Sequence, residues 1–349
     1  MKYKKLGASG IEVSVIGLGC WAFGGGAYWG QQSQQDVDAV VAASIERGIN
    51  FIDTAEVYNN GESECSLGLA LKGHKRDKVV LASKITPANA GQVRKHLEGS
   101  LSRLGTDYLD LYILHWPINP LALAHFSSDR GAAEQPPRVA DVFRQFEALQ
   151  KEGLVRSIGL SNFGVKQMEE VAATGVRVDS NQLAYNIVSR AIEKEIASYC
   201  VAHQIGVVGS VGLQQGLLTG KYARPEDVPP PQAHSRHFHQ DRGGSDSRHH
   251  EEGAEKELFD AVNCVKAISA ETDLSCAQIA LAWILQKPFM TSTLAGCRSV
   301  AQLDANLKAL DVTLSDEIMA RIDAASLPVW QKLGDSPDYY ENRAQSRVF

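Results

Sequence analysis

Asn50-Phe51-Ile52-Asp53-Thr54-Ala55-Glu56-Val57-Tyr58 begins as an apolar strand and closes on an acid and a phenol five residues apart. Phe51 and Ile52 read as the last buried positions of that strand. Asp53 then stands at its C-terminal lip and Tyr58 on the loop beyond, before Asn59-Asn60-Gly61-Glu62-Ser63-Glu64. Two later stretches end in the same manner. Val79-Val80-Leu81-Ala82-Ser83-Lys84 delivers a lysine, and Leu109-Asp110-Leu111-Tyr112-Ile113-Leu114-His115-Trp116-Pro117 delivers a histidine. Three successive strand ends therefore carry Asp53, Tyr58, Lys84 and His115 toward one rim, and in a parallel barrel the C-terminal rim is the functional one.

Around these strands the pattern alternates. Tyr3–Leu6 and Val13–Ile16 flank Gly7-Ala8-Ser9-Gly10, which suits a short hairpin. Val37, Val40, Val41 and Ile45 repeat at helical spacing and stop at Arg47-Gly48. Leu67–Leu71, Val93–Leu104 (ended by Gly105) and Val139–Leu149 (ended by Gly153) read as further helices. Strands are expected at Val15–Leu18, Val155–Leu160, Val178–Leu183, Gly206–Gly209 and Met290–Leu294, with helices near 165–174, 193–203 and 257–286. Eight strand–helix units point to an α/β protein, a (β/α)8 TIM barrel with an N-terminal β-hairpin and long loops at the C-terminal rim; counting alone leaves an open doubly wound sheet as the alternative.

The 349 residues are expected to form one domain, residues 1–349, with its core over 3–325 and a tail over 328–349. Residues 118–137 and 223–256 break the rhythm as long loops, which in compact enzymes are often lids. The tail keeps Trp330, Tyr339, Tyr340 and Phe349, so it is expected to pack against the body. An apolar fraction of 44% is ample for a large core, and a net charge of −6 gives no reason to expect nucleic acid or an anionic membrane as partner. Cys20, Cys65, Cys200, Cys264, Cys276 and Cys297 are scattered and read as reduced thiols. With no secretory signal and no run of about 18 apolar residues, the chain is expected to be soluble and cytoplasmic.

Asp53, Tyr58, Lys84 and His115, in this order on consecutive strands, resemble the catalytic tetrad of the aldo-keto reductases. The chemistry agrees with the resemblance. Carbonyl reduction needs a hydride on carbon and a proton on oxygen. A free phenol, with a pKa of about 10, is a reluctant acid, and an ammonium beside it eases release of the proton. The resemblance makes Tyr58 the acid, Lys84 its cationic neighbour, Asp53 the anchor of Lys84, and a neutral His115 the group that orients the substrate oxygen. Taken singly, each has a plainer reading: a strand-end cap, a surface tyrosine, a solvated lysine, a structural histidine.

The resemblance continues through the second half and covers about 3–325. It implies NADP(H) as the favoured coenzyme, with NAD(H) as the alternative. The family's roles carry Ser161, Asn162 and Gln182 to the nicotinamide amide, and Gly19, Cys20, Trp21 and Asp53 to the neighbourhood of its ribose. The segment Leu213-Gln214-Gln215-Gly216-Leu217-Leu218-Thr219-Gly220-Lys221 resembles the loop over the pyrophosphate, which brings in Ser210, Leu213, Gln215, Gly216, Leu218, Gly220 and Lys221. Gly296, Arg298, Gln302 and Asn306 resemble the adenosine-phosphate segment, where an arginine and a helix N-terminus suit a 2′-phosphate. Two departures stand out. Ser210, Val211 and Gly212 occupy the positions where the family usually has a stacking aromatic followed by Ser-Pro, and Ala305 replaces a glutamate that contacts adenine.

By the same analogy Trp21, Trp29, Val57 and Trp116 surround the site mouth and favour an apolar or ring-bearing carbonyl or alcohol as the small-molecule substrate. Gly17-Leu18-Gly19-Cys20-Trp21-Ala22 matches a dinucleotide fingerprint, but Phe23-Gly24-Gly25-Gly26-Ala27 is a poor helix opener, so the motif reads as a decoy. The histidines over 234–250 fit no zinc spacing and are expected on a polar, solvated loop, with no metal bound. The missing stacking aromatic keeps open a second class, a cofactor-binding regulatory subunit with slow turnover. The sequence leaves the oligomeric state open and is compatible with a homo-oligomer.

Overall fold

The computed structural model describes residues 1–127 and 134–349. Strands β1 (Tyr3–Lys5) and β2 (Glu12–Ser14) form the antiparallel hairpin. The barrel strands are β3 (Ile16–Gly19), β4 (Phe51–Asp53), β5 (Val80–Ile85), β6 (Leu109–Leu114), β7 (Val155–Ser161), β8 (Ser180–Ala184), β9 (Gly206–Ser210) and β10 (Met290–Gly296). Each pairs in parallel with the next, and β10 closes on β3. The open-sheet alternative is excluded. Helices α1 (Gln34–Glu46), α2 (Glu62–Ala70), α3 (Val93–Leu104), α4 (Pro120–Phe126), α5 (Val139–Lys151), α6 (Val165–Ala172), α7 (Ile196–Ala202), α8 (Glu255–Thr272), α9 (Cys276–Leu285), α10 (Val300–Leu307) and α11 (Asp316–Leu333) lie outside the strands. None of them is long and apolar enough to cross a membrane.

Side chains alternate across a strand, and this parity aims the site. Phe51, Val80, Ala82, Leu111, Ile113, Val208 and Leu294 pack together inside the barrel, where Leu6, Ile11 and Val13 of the hairpin join them. Ile52, Leu81, Tyr112 and Ile158 face the helices instead. Two positions beyond Phe51 is Asp53; two beyond Ala82 is Lys84; two beyond Ile113 is His115. The acid, the cation and the imidazole therefore continue inward-facing rows at the C-terminal end. Register completes the alignment, with Asp53 opposite Ala82 on β5 and Lys84 opposite Ile113 on β6.

Several boundaries differ from the sequence reading. The helix expected over 257–286 is two helices, because Asp273 turns left-handed (φ 55°) and Ser275 caps a new start by accepting from Gln278 N. Residues 118–137 are not wholly loop: Asn119 caps α4 and Pro120 fills its first position; part of that segment, 128–133, lies outside the described residues. Helix α11 runs through Pro328 to Leu333, past the boundary drawn at 328. The larger correction concerns the histidines over 234–250, expected on a polar, solvated loop. His234, Ser235, Arg236, His237 and His249 are buried. Arg236 reaches Glu251 and the Leu333 and Ser336 carbonyls, and His237 Nε2 lies 2.9 Å from Val188 O, so charge and imidazole there serve packing.

The tail packs, as its aromatics suggested. Arg347 and Asp338 form a fully buried ion pair, and the guanidinium lies 3.7 Å above the Trp116 ring. Asn119 Nδ2 and Gln167 Nε2 both donate to the Arg347 carbonyl.

Candidate active site

Lys84 is fully buried at the end of β5, and its ammonium donates to Asp53 Oδ1 at 2.5 Å, Thr54 O at 2.7 Å and Tyr58 Oη at 3.2 Å. An ammonium has three donors, and these acceptors engage all of them. Burial presses the Lys84 ammonium toward neutrality, but Asp53 and Tyr58 together outweigh it and hold the group above its ordinary value. It is a protonated lysine. The Asp53 carboxyl is pushed up by burial, against the pull of Lys84 and of Gln182, which donates to Oδ2 at 3.0 Å.

Tyr58 reaches this centre because the loop after β4 is pinned. Glu56 accepts from Thr86 N at 2.9 Å and Asn89 Nδ2 at 2.8 Å, and its other oxygen meets His96 Nδ1 at 2.8 Å. Asn59 and Asn60 then take left-handed backbone, which asparagine tolerates, and Asn59 Nδ2 donates to Phe23 O. Burial raises the Tyr58 phenol; Lys84 pulls it back without reversing the direction. The His115 ring stands 5.6 Å from that of Tyr58. Burial, and then the Lys84 charge, hold its imidazole well below the ordinary value, so it is neutral; Nδ1 is buried and has no hydrogen-bond partner among the described residues. A proton-bearing phenol, a cation behind it and a neutral imidazole beside it thus converge on one point. All four residues singled out from the strand ends are brought together.

The remaining candidates fall into two groups. Ser161 ends β7 opposite Gln182 on β8, and Asn162, in left-handed backbone, donates to His115 O and Ser161 Oγ. Gly19 pairs with Gly296, and Cys20 and Trp21 follow at the rim. Beyond β9, Val211, Gln214 and Gln215 all have positive φ, folding residues 210–220 into a tight turn. Leu218 points into the core and its amide bonds Leu213 O, while Lys221 is exposed and has no carboxylate partner among the described residues. After β10, Ser299 caps α10 and Gln302 accepts from Arg298 N at 2.8 Å. Asn306 is buried and donates to Cys297 Sγ, away from the rim surface.

At the mouth, Trp21 stacks on Tyr28 (4.9 Å) and Tyr58 (5.9 Å), and Trp29 stands edge-on to Trp21. Val57 is exposed and Trp116 is buried beside Phe126. Sequence reasoning missed Tyr28, Phe126, His234 and Tyr340. His234 stacks on Tyr340 and meets Tyr28 edge-on, so the loop 223–256 and the tail complete the wall. Tyr28 sits between Trp21 and Trp29 in sequence, a signal that could have found it; Tyr340 carried no local signal.

Among the described residues no cluster of three or more metal-ligating side chains occurs. A dinucleotide fits the donor set. Among the described residues Trp29 Nε1, Gln32 Oε1 and Gln215 Nε2 are buried without partners near the ends of β3, β9 and β10, and the Arg298 guanidinium donates to the Trp29 and Gln31 carbonyls and to no carboxylate.

The chain is similar to known proteins over most of its length. The model of the Aldo/keto reductase family matches residues 15–327. Aldo-keto reductase YhdN of Bacillus subtilis is 32% identical, with 91% of each chain covered. The NADH-specific methylglyoxal reductase of Escherichia coli is 31% identical over 90% of this chain and 95% of its own. Among solved structures, an aldo-keto reductase from Klebsiella pneumoniae in complex with NADPH superposes with a TM-score of 0.70 at 28% identity, covering 93% of this chain and 95% of that one. With the barrel closed and the four strand-end residues joined, the chain belongs to the aldo/keto reductase family of oxidoreductases.

Proposed function

We propose that the protein reduces aldehydes or ketones to alcohols, or runs the reverse, with NADP(H) favoured as coenzyme and NAD(H) as the alternative. The observation that carries this reading is the Lys84 ammonium, fully buried and bonded to both Asp53 and Tyr58. The bound nicotinamide supplies the hydride. Tyr58 gives the proton to the substrate oxygen; burial keeps the phenol protonated at neutral pH, and Lys84 stabilises the phenolate that remains. Asp53 holds Lys84 charged and aimed. Neutral His115 lies where it can bond the substrate oxygen and set its orientation. Ser161, Asn162 and Gln182 hold the coenzyme amide, residues 213–221 its pyrophosphate, and Arg298 with the start of α10 its 2′-phosphate. The walls of Trp21, Trp29, Val57, Trp116 and Tyr340 suit an apolar or ring-bearing carbonyl.

Arg298 has no acidic partner among the described residues, which supports NADP(H) over NAD(H), since such a guanidinium binds phosphate without first breaking an ion pair. Fluorescence titration with NADPH and NADH, then turnover of an aldehyde panel in wild type and Tyr58→Phe, tests the reading. Tighter NADPH binding and a fall in kcat of roughly 10²–10⁴-fold in the variant are expected. Coenzyme binding with no turnover of any carbonyl, or a Tyr58→Phe variant of undiminished rate, overturns it.

A further inference from the structure

Between β3 and α1 the chain takes a detour through Gly24-Gly25-Gly26-Ala27-Tyr28-Trp29-Gly30-Gln31-Gln32. This detour reaches across the ends of two neighbouring strands. Beyond β9, the Tyr28 hydroxyl donates to Gln215 Oε1. Beyond β10, Arg298 Nη1 donates to Trp29 O at 2.6 Å and Nη2 donates to Gln31 O, while Gln32 Nε2 donates back to Arg298 O at 3.4 Å. The Tyr28 ring lies against Trp21, which lies against Tyr58. One segment therefore touches the loop assigned to the pyrophosphate, the turn assigned to the 2′-phosphate, and the wall beside the proton donor.

Two independent observations show what such a bridge is suited to hold. Trp29 Nε1, Gln32 Oε1 and Gln215 Nε2 are each buried with no partner among the described residues. An orphaned buried polar atom is costly, so two of them on the segment and a third on Gln215, where it latches, point to a polar ligand. Two donors and one acceptor match phosphate oxygens and a ribose hydroxyl. The second observation is charge. Arg298 uses two of its N–H donors on neutral carbonyls, and no carboxylate lies within ion-pair range among the described residues. The guanidinium is thus oriented by the detour and still able to bind an anion.

We propose that residues 24–32 are a strap of the coenzyme site. It presents Trp29 Nε1 and Gln32 Oε1 to the dinucleotide, holds Arg298 in position for the 2′-phosphate, and must swing outward before the coenzyme can leave. Gly24, Gly25 and Gly26 (φ 79°, 74° and 106°) and Gly30 (φ 74°) flank the two aromatics and provide the hinges. The Tyr28–Gln215 hydrogen bond is the latch. The proposal rests on the coenzyme reading above and adds four residues, Tyr28, Trp29, Gln31 and Gln32, to it.

The test is the release rate of bound NADPH, followed by fluorescence in a stopped-flow chase with excess NADP⁺, alongside melting temperature. Tyr28→Phe keeps the ring on Trp21 and removes only the latch. Release is expected to quicken about tenfold, the kinetic equivalent of one hydrogen bond of about 1.4 kcal/mol, with the melting temperature held. Gly30→Ala, which has open space around it but a strained φ, is expected to quicken release as well. In Arg298→Met the difference between NADPH and NADH release is expected to vanish. Hydrogen exchange at residues 24–32 should slow when NADPH is added to wild type. Unchanged release in both Tyr28→Phe and Gly30→Ala, with wild type binding coenzyme normally, overturns the strap alone. Wild-type protein that binds neither nucleotide overturns the strap and the reductase reading together.

Discussion

Asp53 and Asp338 are both almost completely buried and each faces one buried cation, yet their carboxyls move in opposite directions. Burial raises both. At Asp338 it is overcome: the carboxylate accepts from Arg347 Nε and Nη2, from the Arg347 amide, and from the amides of Tyr340 and Glu341, and ends below its ordinary value. At Asp53 the donors among the described residues are Lys84 and Gln182, and burial wins. The cations differ likewise. Arg347 turns Nε and Nη2 onto its acid and its face onto the Trp116 ring, with Nη1 buried and unpartnered among the described residues, whereas Lys84 keeps one donor on Tyr58. An acid saturated by backbone amides fastens a tail; one with few donors of its own shares a lysine that also holds a third group. The hydrogen-bond inventory separates the two, not the depth of burial.

The sharpest way to break this contrast is to remove each cation. Arg347→Met leaves Asp338 buried and unpaired, and is expected to cost roughly 3–5 kcal/mol of stability in urea denaturation. Lys84→Met is expected to lower kcat roughly 10²–10³-fold and to raise the Tyr58 phenol further, moving the alkaline limb of the pH profile upward, with a smaller loss of stability. Identical stability and rate profiles for the two variants would erase the distinction. A weaker effect sharpens it through pH. Burial holds His125, His237 and His249 down to about 4. The unfolded chain therefore binds more protons between the ordinary histidine value and about 4, and stability should fall with acidification across that window. The Asp338 contribution is lost only lower, as pH drops through its depressed carboxyl value. A stability curve flat from pH 6.5 to 4 would place those imidazoles in water, against the structure.

How much of this was legible in the chain depends on the range of the contacts. The barrel could be read because apolar runs and helical spacing are local, and Asp53, Lys84 and His115 continue inward-facing rows set by strand parity. Tyr58 was legible through its short tether to Asp53. Tyr340 was not, since Trp116 and the tail meet across more than two hundred residues of chain; Phe126, about ten residues from Trp116, was hidden because 118–137 was read as loop and not helix. The histidines of 223–256 misled for a related reason. Their composition reads as solvated, while burial against Tyr339, Tyr340 and Val188 is a tertiary fact. Arg298 follows β10 ahead of the Ser299 cap, and its grip on Trp29 and Gln31 has no signature in either segment.

Leu6, Ile11 and Val13 of the N-terminal hairpin cap the lower end of the barrel, and Phe51, Val80, Ala82, Leu111 and Ile113 pack in the layer above them, with the buried Ser180 hydroxyl near Leu111 and Ile113. The hairpin thus serves the chemistry at a distance: its three side chains are the floor beneath the inward-facing rows that end in Asp53, Lys84 and His115, so the lever that aims the centre is anchored at the opposite end of the barrel.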